Sequence, residues 1–271
     1  MKLDLLLVPI GARYADMRAA AVAAEESGWD GVWTWDHLRD PDETADAGVV
    51  ESWTALSALA EATRRVTIGP LVLNTGLRHP GVLANMTATL QQVSGGRLLL
   101  GIGAGATPSM AYAREQTALG MEVPGDRVRA ERVAETAQVL RRLWSGDPSS
   151  FAGRRFRLDR PSGFLRPDPP PPIIVGGFGP RMAAIAGRFG DGFNTQAMHP
   201  HLAELARVAR EACADAGRDP TRFEVSVFAG LGPRWLREDT PERARIERAG
   251  VSRLILLVSP PYDLEAVRSR R

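Results

Sequence analysis

Strand-like and helix-like segments alternate along the whole of this 271-residue chain, and this rhythm constrains the fold more than any single motif does. The predicted strands are short apolar runs at 3–9, 31–35, 66–73, 97–102, 172–175, 192–195, 223–229 and 253–258. Between them, helices are predicted at 14–27, 51–63, 80–93, 127–144, 180–189, 201–216 and 241–249, with a short terminal helix from 263.

This alternation predicts parallel βαβ units, and eight strands is the number that closes a TM barrel. We therefore predict an α/β fold, a (β/α)8 barrel that occupies residues 1–271 as a single domain. An open doubly wound sheet is the alternative that the same alternation permits. The stretch 146–172 interrupts the rhythm with a hairpin-like segment at 151–156 and a proline-rich run. We interpret it as an insertion over one end of the barrel.

The composition indicates in which compartment the protein is found and which partners it does not bind. Cys213 is the only cysteine, so no intramolecular disulfide can form, which favours a reducing compartment. No apolar run approaches the roughly 20 residues that span a bilayer, and the first residues do not resemble a signal peptide. The net charge is only +2, and arginines alternate with acids at 127–135, as expected of a solvated helix face. These features predict a cytoplasmic protein that binds neither nucleic acid nor membrane.

A polar pair follows the second predicted strand. The buried run 32–35 ends abruptly in Asp36 and His37, and the carboxyl ends of barrel strands are where catalytic residues sit. The pKa of an unperturbed histidine lies near neutrality, so His37 is a candidate proton donor or acceptor. The alternative is that Asp36 caps the following segment and His37 is merely exposed in a loop.

A glycine-rich loop follows the fifth predicted strand. Gly176, Gly177, Phe178 and Gly179 lead to Pro180, a residue favoured at the first position of a helix. Free backbone N–H groups and the positive dipole end at such a helix start form an anion site. We therefore predict that a phosphate binds here, with a plain tight turn as the alternative.

Two other patterns resemble a dinucleotide-binding motif and a metal site, but their context favours neither. Residues 101–106 match the dinucleotide fingerprint G-x-G-x-x-A, but three βα units precede them, so we interpret these glycines as keeping a cofactor pocket open. His199 and His201 form the one close histidine pair, without a carboxylate or cysteine at ligand spacing, and we predict no metal site.

Taken together, the chain resembles the bacterial-luciferase-like oxidoreductases, which are flavin- or deazaflavin-dependent (β/α)8 barrels. The landmarks of the resemblance are GWDGVWTWDH at 28–37, IGPLVL at 68–73, LRHP at 77–80, GGRLLLGIGAG at 95–105, GGFGPR at 176–181 and GDGFN at 190–194. Each is individually weak, whereas their order and spacing over nearly the whole chain are specific.

The resemblance implies a cofactor ring that lies across the carboxyl ends of the strands. In relatives that bind coenzyme F420, an acid–histidine pair after strand two faces the reactive ring carbon. That role maps to Asp36 and His37, which would both contact the cofactor, and His37 would donate or accept the proton while Asp36 orients it. A cis peptide between Leu71 and Val72 would back the ring, and Asn74 would reach its polar edge.

Further cofactor contacts are implied for two loops. They are Gly105, Ala106 and Ser109 after the fourth strand and Gly176, Gly177, Phe178 and Gly179 in the phosphate loop. Some F420 enzymes carry a glutamate that protonates the reduced ring where Ala106 stands here.

Three functional hypotheses follow. The leading one is a coenzyme F420-dependent oxidoreductase that transfers hydride between the deazaflavin and an unidentified small organic substrate. The first alternative is an FMNH2-dependent two-component monooxygenase on the same barrel, with FMN as cofactor. The second is a non-catalytic protein that binds flavin or F420. The resemblance also implies a homodimer.

Overall fold

One curved parallel sheet organises the protein, whose computed structural model describes residues 1–42 and 48–269. The strands are β1 Lys2–Leu7, β2 Gly31–Thr34, β3 Thr67–Pro70, β4 Leu73–Asn74, β5 Leu100–Gly103, β6 Phe151–Ala152, β7 Arg157–Leu158, β8 Ile173–Gly176, β9 Gly192–Gln196, β10 Glu224–Gly230 and β11 Arg253–Val258. Nine of them form the sheet, in the order β3-β2-β1-β11-β10-β9-β8-β5-β4.

The sheet closes into a barrel at its third strand. The two ends of the sheet order, β3 and β4, are consecutive pieces of that strand, and β3 pairs with β2 while β4 pairs with β5. The last strand, β11, pairs with β1 over six residues, from Arg253 opposite Lys2 to Val258 opposite Leu7. The predicted (β/α)8 barrel is therefore confirmed, and the doubly wound alternative is wrong.

Helices connect successive strands on the outside of the barrel. They are α1 Tyr14–Glu26, α2 Ser52–Ala62, α3 Pro80–Val93, α4 Arg114–Ala118, α5 Asp126–Ser145, α6 Pro180–Phe189, α7 Leu202–Asp215, α8 Pro233–Leu236, α9 Pro241–Arg248 and α10 Leu264–Arg268. Both α3 and α6 have the predicted bounds, because a proline at the first helical position marks each start. In the described chain, each helix is too short or too polar to cross a membrane.

Alternate residues of the strands face two separate cores. In β1, Leu5 and Leu7 pack outward with the helices, whereas Leu6 points into the barrel beside Trp33 and Ile255. This two-residue period is the normal geometry of a strand in a closed barrel. The barrel interior is therefore a packed core, and chemistry is confined to its rim.

The predicted insertion hairpin is present and packs on helix α5. Strands β6 and β7 pair antiparallel, and the turn between them donates backbone N–H groups from Arg154, Arg155 and Phe156 to the Glu135 carboxylate at 2.8–2.9 Å. Glu135 is buried, and so is Arg129. The interpretation of 127–135 as a solvated face is thus wrong for these two side chains, which bind other segments of the chain.

A buried ion pair joins the first and last strands of the barrel. The Asp4 carboxylate accepts hydrogen bonds from Arg253 and, at 2.6 Å, from the Trp33 indole, while Arg253 also donates to Glu224 at 2.8 Å. Asp4 is 0% exposed and Arg253 is 1% exposed. Burial raises the pKa of Asp4, although Arg253 and Trp33 act in the opposite direction. The carboxylate therefore depends on these partners to remain in the core.

We expect Arg253→Met to destabilise the protein by about 3–5 kcal/mol, because it leaves the Asp4 carboxylate buried without its counter-charge. The measurement is the free energy of unfolding in urea. Arg207→Met is the control, since it removes an exposed pair with Glu211 and should leave that free energy nearly unchanged. Equal losses in both variants would show that the buried Asp4 carboxylate does not depend on Arg253.

Candidate active site

The predicted site residues gather at the carboxyl ends of the barrel strands. Asp36 and His37 follow β2, and Asn74 ends β4. The peptide bond between Leu71 and Val72 is cis, as the resemblance implied. In TM-barrel proteins this end of the barrel carries the chemistry.

Asp36 is a buried anchor for the loops around it. Arg78 donates to both of its carboxylate oxygens, at 2.7 and 2.8 Å, and the backbone N–H of Asn74 donates at 2.9 Å. Burial alone would lower the pKa of Arg78, but Asp36 and Glu51 raise it overall, so the guanidinium stays charged. Asp36 therefore links the segment after β2 to β4. A direct contact between Asp36 and the cofactor stays a prediction.

His37 has a different partner from the expected one. Its Nδ1 lies 3.3 Å from both carboxylate oxygens of Glu115, and Glu115 also accepts the backbone N–H of Leu38 at 2.9 Å. The ring of Tyr112 stacks on the imidazole with centroids 4.3 Å apart. The expectation that Asp36 orients His37 is wrong, because Nδ1 contacts Glu115 and no hydrogen bond joins His37 to Asp36 among the described residues.

Asn74 is held by the protein at both ends of its amide. Its Nδ2 donates to Gln116 at 2.9 Å, and its Oδ1 accepts the backbone N–H of Gly76 at 2.8 Å. Gly105 packs against this amide, since a Cβ at Gly105 would lie 2.5 Å from the Asn74 nitrogen. The structure thus gives Asn74 partners that the sequence did not reveal, and its contact with the ring stays a prediction.

The glycines of β5 and β8 accommodate a side chain from the third strand. A Cβ at Gly103 would lie 2.4 Å from Val72, and one at Gly176 would lie 3.0 Å from the same side chain. At Gly101 a Cβ would lie 2.0 Å from the backbone oxygen of Pro70. The interpretation that the β5 glycines keep a pocket open is therefore corrected, because Val72 and the Pro70 carbonyl occupy this space.

The loop before α6 has the geometry of an anion site. The N–H of Gly177 is bonded to the Asn194 carbonyl, but the N–H groups of Phe178, Gly179 and Arg181 have no acceptor among the described residues. No described side chain caps the helix at Gly179, and a Cβ there would meet nothing within 4 Å. These donors lie at the positive end of the α6 dipole, so the loop fits a phosphate group.

The loop after β5 contains the remaining predicted contacts. Ala106 is partly exposed, and Ser109 is exposed and within hydrogen-bond distance of Thr107 at 3.2 Å. The start of the loop is fixed by Arg129, which donates to the carbonyls of Ala104 and Gly105 at 3.1 and 2.8 Å. Ala106 and Ser109 as cofactor contacts stay predictions.

Three residues of the site were missed from the sequence. Arg78 lies within a recognised landmark, but nothing in that landmark indicates that it pairs with Asp36. Glu115 and Tyr112 lie more than 70 positions beyond His37 in an irregular stretch, where no periodicity signals a contact. Among the described residues, no group of three histidine, cysteine or acidic side chains could hold a metal ion.

Both the sequence and the fold match known proteins over most of the chain. The family profile described as luciferase-like monooxygenase matches residues 5–262. An F420-dependent glucose-6-phosphate dehydrogenase of Nakamurella multipartita is 34% identical over 208 residues, which are 75% of this chain and 59% of that protein. An F420-dependent hydroxymycolic acid dehydrogenase of Mycobacterium tuberculosis is 35% identical over 218 residues, 79% of this chain and 58% of that protein. The chain thus spans about three fifths of the length of these relatives.

A solved structure shares the fold along its whole length. An F420-dependent secondary alcohol dehydrogenase, in complex with an F420–acetone adduct, superposes with a TM-score of 0.81 at 23% identity. The superposition covers 99% of this chain and 97% of that one. At this level of identity the match supports the barrel architecture.

We expect Gly105→Ala to destabilise the protein more than Gly120→Ala does. Both glycines have a positive φ, +69° and +70°, so alanine meets a similar backbone penalty of roughly 1–2 kcal/mol at each. Only at Gly105 does the new methyl group collide with Asn74, whereas the space around Gly120 is open. Urea unfolding measures the free energy of unfolding of both variants. An equal decrease in both would show that the Asn74 amide moves aside without destabilising the protein.

Proposed function

The chain belongs to the luciferase-like monooxygenase family, and we propose that it is an oxidoreductase that uses coenzyme F420 to transfer hydride to or from a small organic molecule. The observation that carries this proposal is the pairing of two features at one end of the barrel. His37 offers a partly exposed imidazole after β2, and the start of α6 after β8 offers uncapped N–H groups. Relatives named as F420-dependent dehydrogenases give the cofactor.

The residues of the site fit a cofactor that carries a phosphate and a flat ring. We assign the phosphate to the N–H groups of Phe178 and Gly179, where the open space beside Gly179 leaves room for it. The backbone at Leu71 and Val72 would support the ring. When bound, coenzyme F420 supplies a carbon centre that accepts or donates hydride, and the protein supplies orientation and proton transfer.

His37 is the side chain that we assign to proton transfer. It is 24% exposed, so it can reach a bound molecule, while Glu115 and Tyr112 restrict the motion of its ring. Asp36 cannot take this role readily, because both of its oxygens are bound to the Arg78 guanidinium. The site therefore separates an anchoring carboxylate from a proton-carrying imidazole.

The substrate is a small molecule whose identity the site leaves open. The two relatives are named for a sugar phosphate and for hydroxymycolic acid, which differ greatly in size and polarity. The F420 chemistry that these relatives share is therefore the part of their function that we extend to this chain.

We also propose that the protein is a cytoplasmic homodimer, as the family resemblance implies. The outer face of α3 supports a dimer, since Val82 is 59% exposed and Val93 is 40% exposed on the same helix. A single, buried cysteine is compatible with a reducing compartment. Light scattering of the purified protein would measure its mass in solution.

Fluorescence titration should show that the protein binds F420 more tightly than FMN. We expect Gly179→Asp to weaken F420 binding by about tenfold or more, because its carboxylate would lie beside the bound phosphate. The same substitution should leave the free energy of unfolding within about 0.5 kcal/mol of the wild type, since aspartate is a good N-cap residue.

Gly125→Asp is the matched control for this variant. Gly125 is the uncapped N-cap residue of α5, and its Cβ position is also open. It should bind F420 like the wild type. Tight binding of FMN alone would favour the monooxygenase alternative, and F420 binding without turnover of any alcohol, aldehyde or ketone would favour the non-catalytic one.

We expect His37→Ala to keep F420 binding and to lower turnover by about 10²–10⁴, the usual contribution of a general acid or base. His201→Ala is the control, because His201 is well exposed and forms a surface ion pair with Glu204. The measurement is the rate of F420 reduction once a substrate is found by screening alcohols. If His37→Ala turned over substrate at the wild-type rate, His37 would not be the residue that transfers the proton.

A further inference from the structure

Glu115 presents its carboxylate to one nitrogen of the His37 ring. The carboxylate is buried, with its side chain 4% exposed, and it accepts the backbone N–H of Leu38 at 2.9 Å. Both of its oxygens lie 3.3 Å from Nδ1 of His37. Because an ionised carboxylate can only accept hydrogen bonds, this contact is satisfied when Nδ1 carries the ring proton.

The rest of the ring environment keeps Nδ1 directed at Glu115. Tyr112 stacks on one face of the imidazole, with an interplanar angle of 24°, and Trp35 meets it edge-on at 6.0 Å. Among the described residues, none forms a hydrogen bond with Nε2 of His37. The nitrogen opposite Glu115 is therefore the one available to a bound molecule.

We propose that Glu115 is a positioning residue that fixes neutral His37 in the Nδ1–H tautomer and leaves a bare Nε2 to accept a proton. The use of that nitrogen in catalysis rests on the proposed oxidoreductase function, whereas the tautomer itself does not. A bare Nε2 makes His37 a base in the direction of alcohol oxidation. In the reverse direction the same nitrogen, once protonated, is the acid.

Two other histidines provide internal references for the tautomer. Nδ1 of His79 accepts the backbone N–H of Gly81 at 3.1 Å, and Nδ1 of His199 accepts the backbone N–H of His201 at 3.2 Å. A nitrogen that accepts a hydrogen bond carries no proton, so these two rings should be protonated at Nε2. The structure therefore assigns His37 the opposite tautomer from theirs.

Nitrogen NMR of the protein labelled with ¹⁵N-histidine tests this assignment without cofactor or substrate. The spectrum is recorded at alkaline pH, because the protonated and bare nitrogens of a neutral imidazole resonate far apart. The chain has four histidines, which single substitutions would assign. We expect His37 to be protonated at Nδ1 and His79 at Nε2 in the same spectrum, and finding His37 protonated at Nε2 would overturn the proposal.

Glu115→Gln should reverse the tautomer of His37. The new amide has only one oxygen, and if that oxygen keeps the Leu38 N–H, its NH₂ group faces Nδ1 and moves the ring proton to Nε2. We expect the two His37 nitrogen signals to exchange character while those of His79 stay unchanged, which also shows that the fold is intact. Unchanged His37 signals in Glu115→Gln would overturn the role of Glu115.

Kinetics then connect the tautomer to the proposed reaction. Glu115→Gln should lower kcat by at least about tenfold with F420 affinity unchanged, and the loss should not exceed that of His37→Ala. Glu122→Gln, at an exposed loop position, should match the wild type in both spectrum and rate. If the protein bound no F420, the proposed function would fail while the NMR result would still decide the tautomer.

Discussion

The barrel closes because its third strand changes neighbours halfway along its length. Its first piece, β3, pairs with β2, and its second piece, β4, pairs with β5, with Leu71 and Val72 between them. At this switch of pairing partner, Val72 lies against β5 and β8. A side chain at Gly103 or Gly176 would collide with it. The third strand can therefore close the sheet only because β5 and β8 have glycine where Val72 packs.

The switch of pairing partner in the third strand also assembles the candidate site. It brings the Asn74 backbone N–H to the Asp36 carboxylate after β2, and the Asn74 side chain to Gln116 after β5. Three successive strand ends are thus cross-linked through one residue. Because Glu115 precedes Gln116 in α4, the contact that holds Asn74 also helps to place the carboxylate beside His37. Preorganisation at the barrel rim follows from how the barrel closes.

Local patterns in the sequence predicted the parts of this arrangement that depend on local chemistry. Apolar periodicity and the N-terminal prolines predicted α3 and α6 with their observed bounds, and the alternation of elements predicted the barrel. The interior of α5 was mispredicted, since alternating charge cannot show that Arg129 reaches the β5 loop or that Glu135 binds a hairpin turn. Likewise, the Glu115–His37 contact joins residues 78 positions apart, and only the folded chain brings them together.

Two carboxylates lie beside His37: Asp36 precedes it in the sequence, and Glu115 contacts its ring. They have different roles because they have different hydrogen-bond partners. Asp36 faces the Arg78 guanidinium with bidentate geometry and also accepts the backbone N–H of Asn74, so its carboxylate holds neighbouring segments together. Glu115 faces the Leu38 backbone N–H and the His37 imidazole, and of these two partners only the imidazole has a second nitrogen that can accept a proton. In the proposed reaction, His37 therefore carries the proton, and the position of Glu115 decides which nitrogen of the ring holds it.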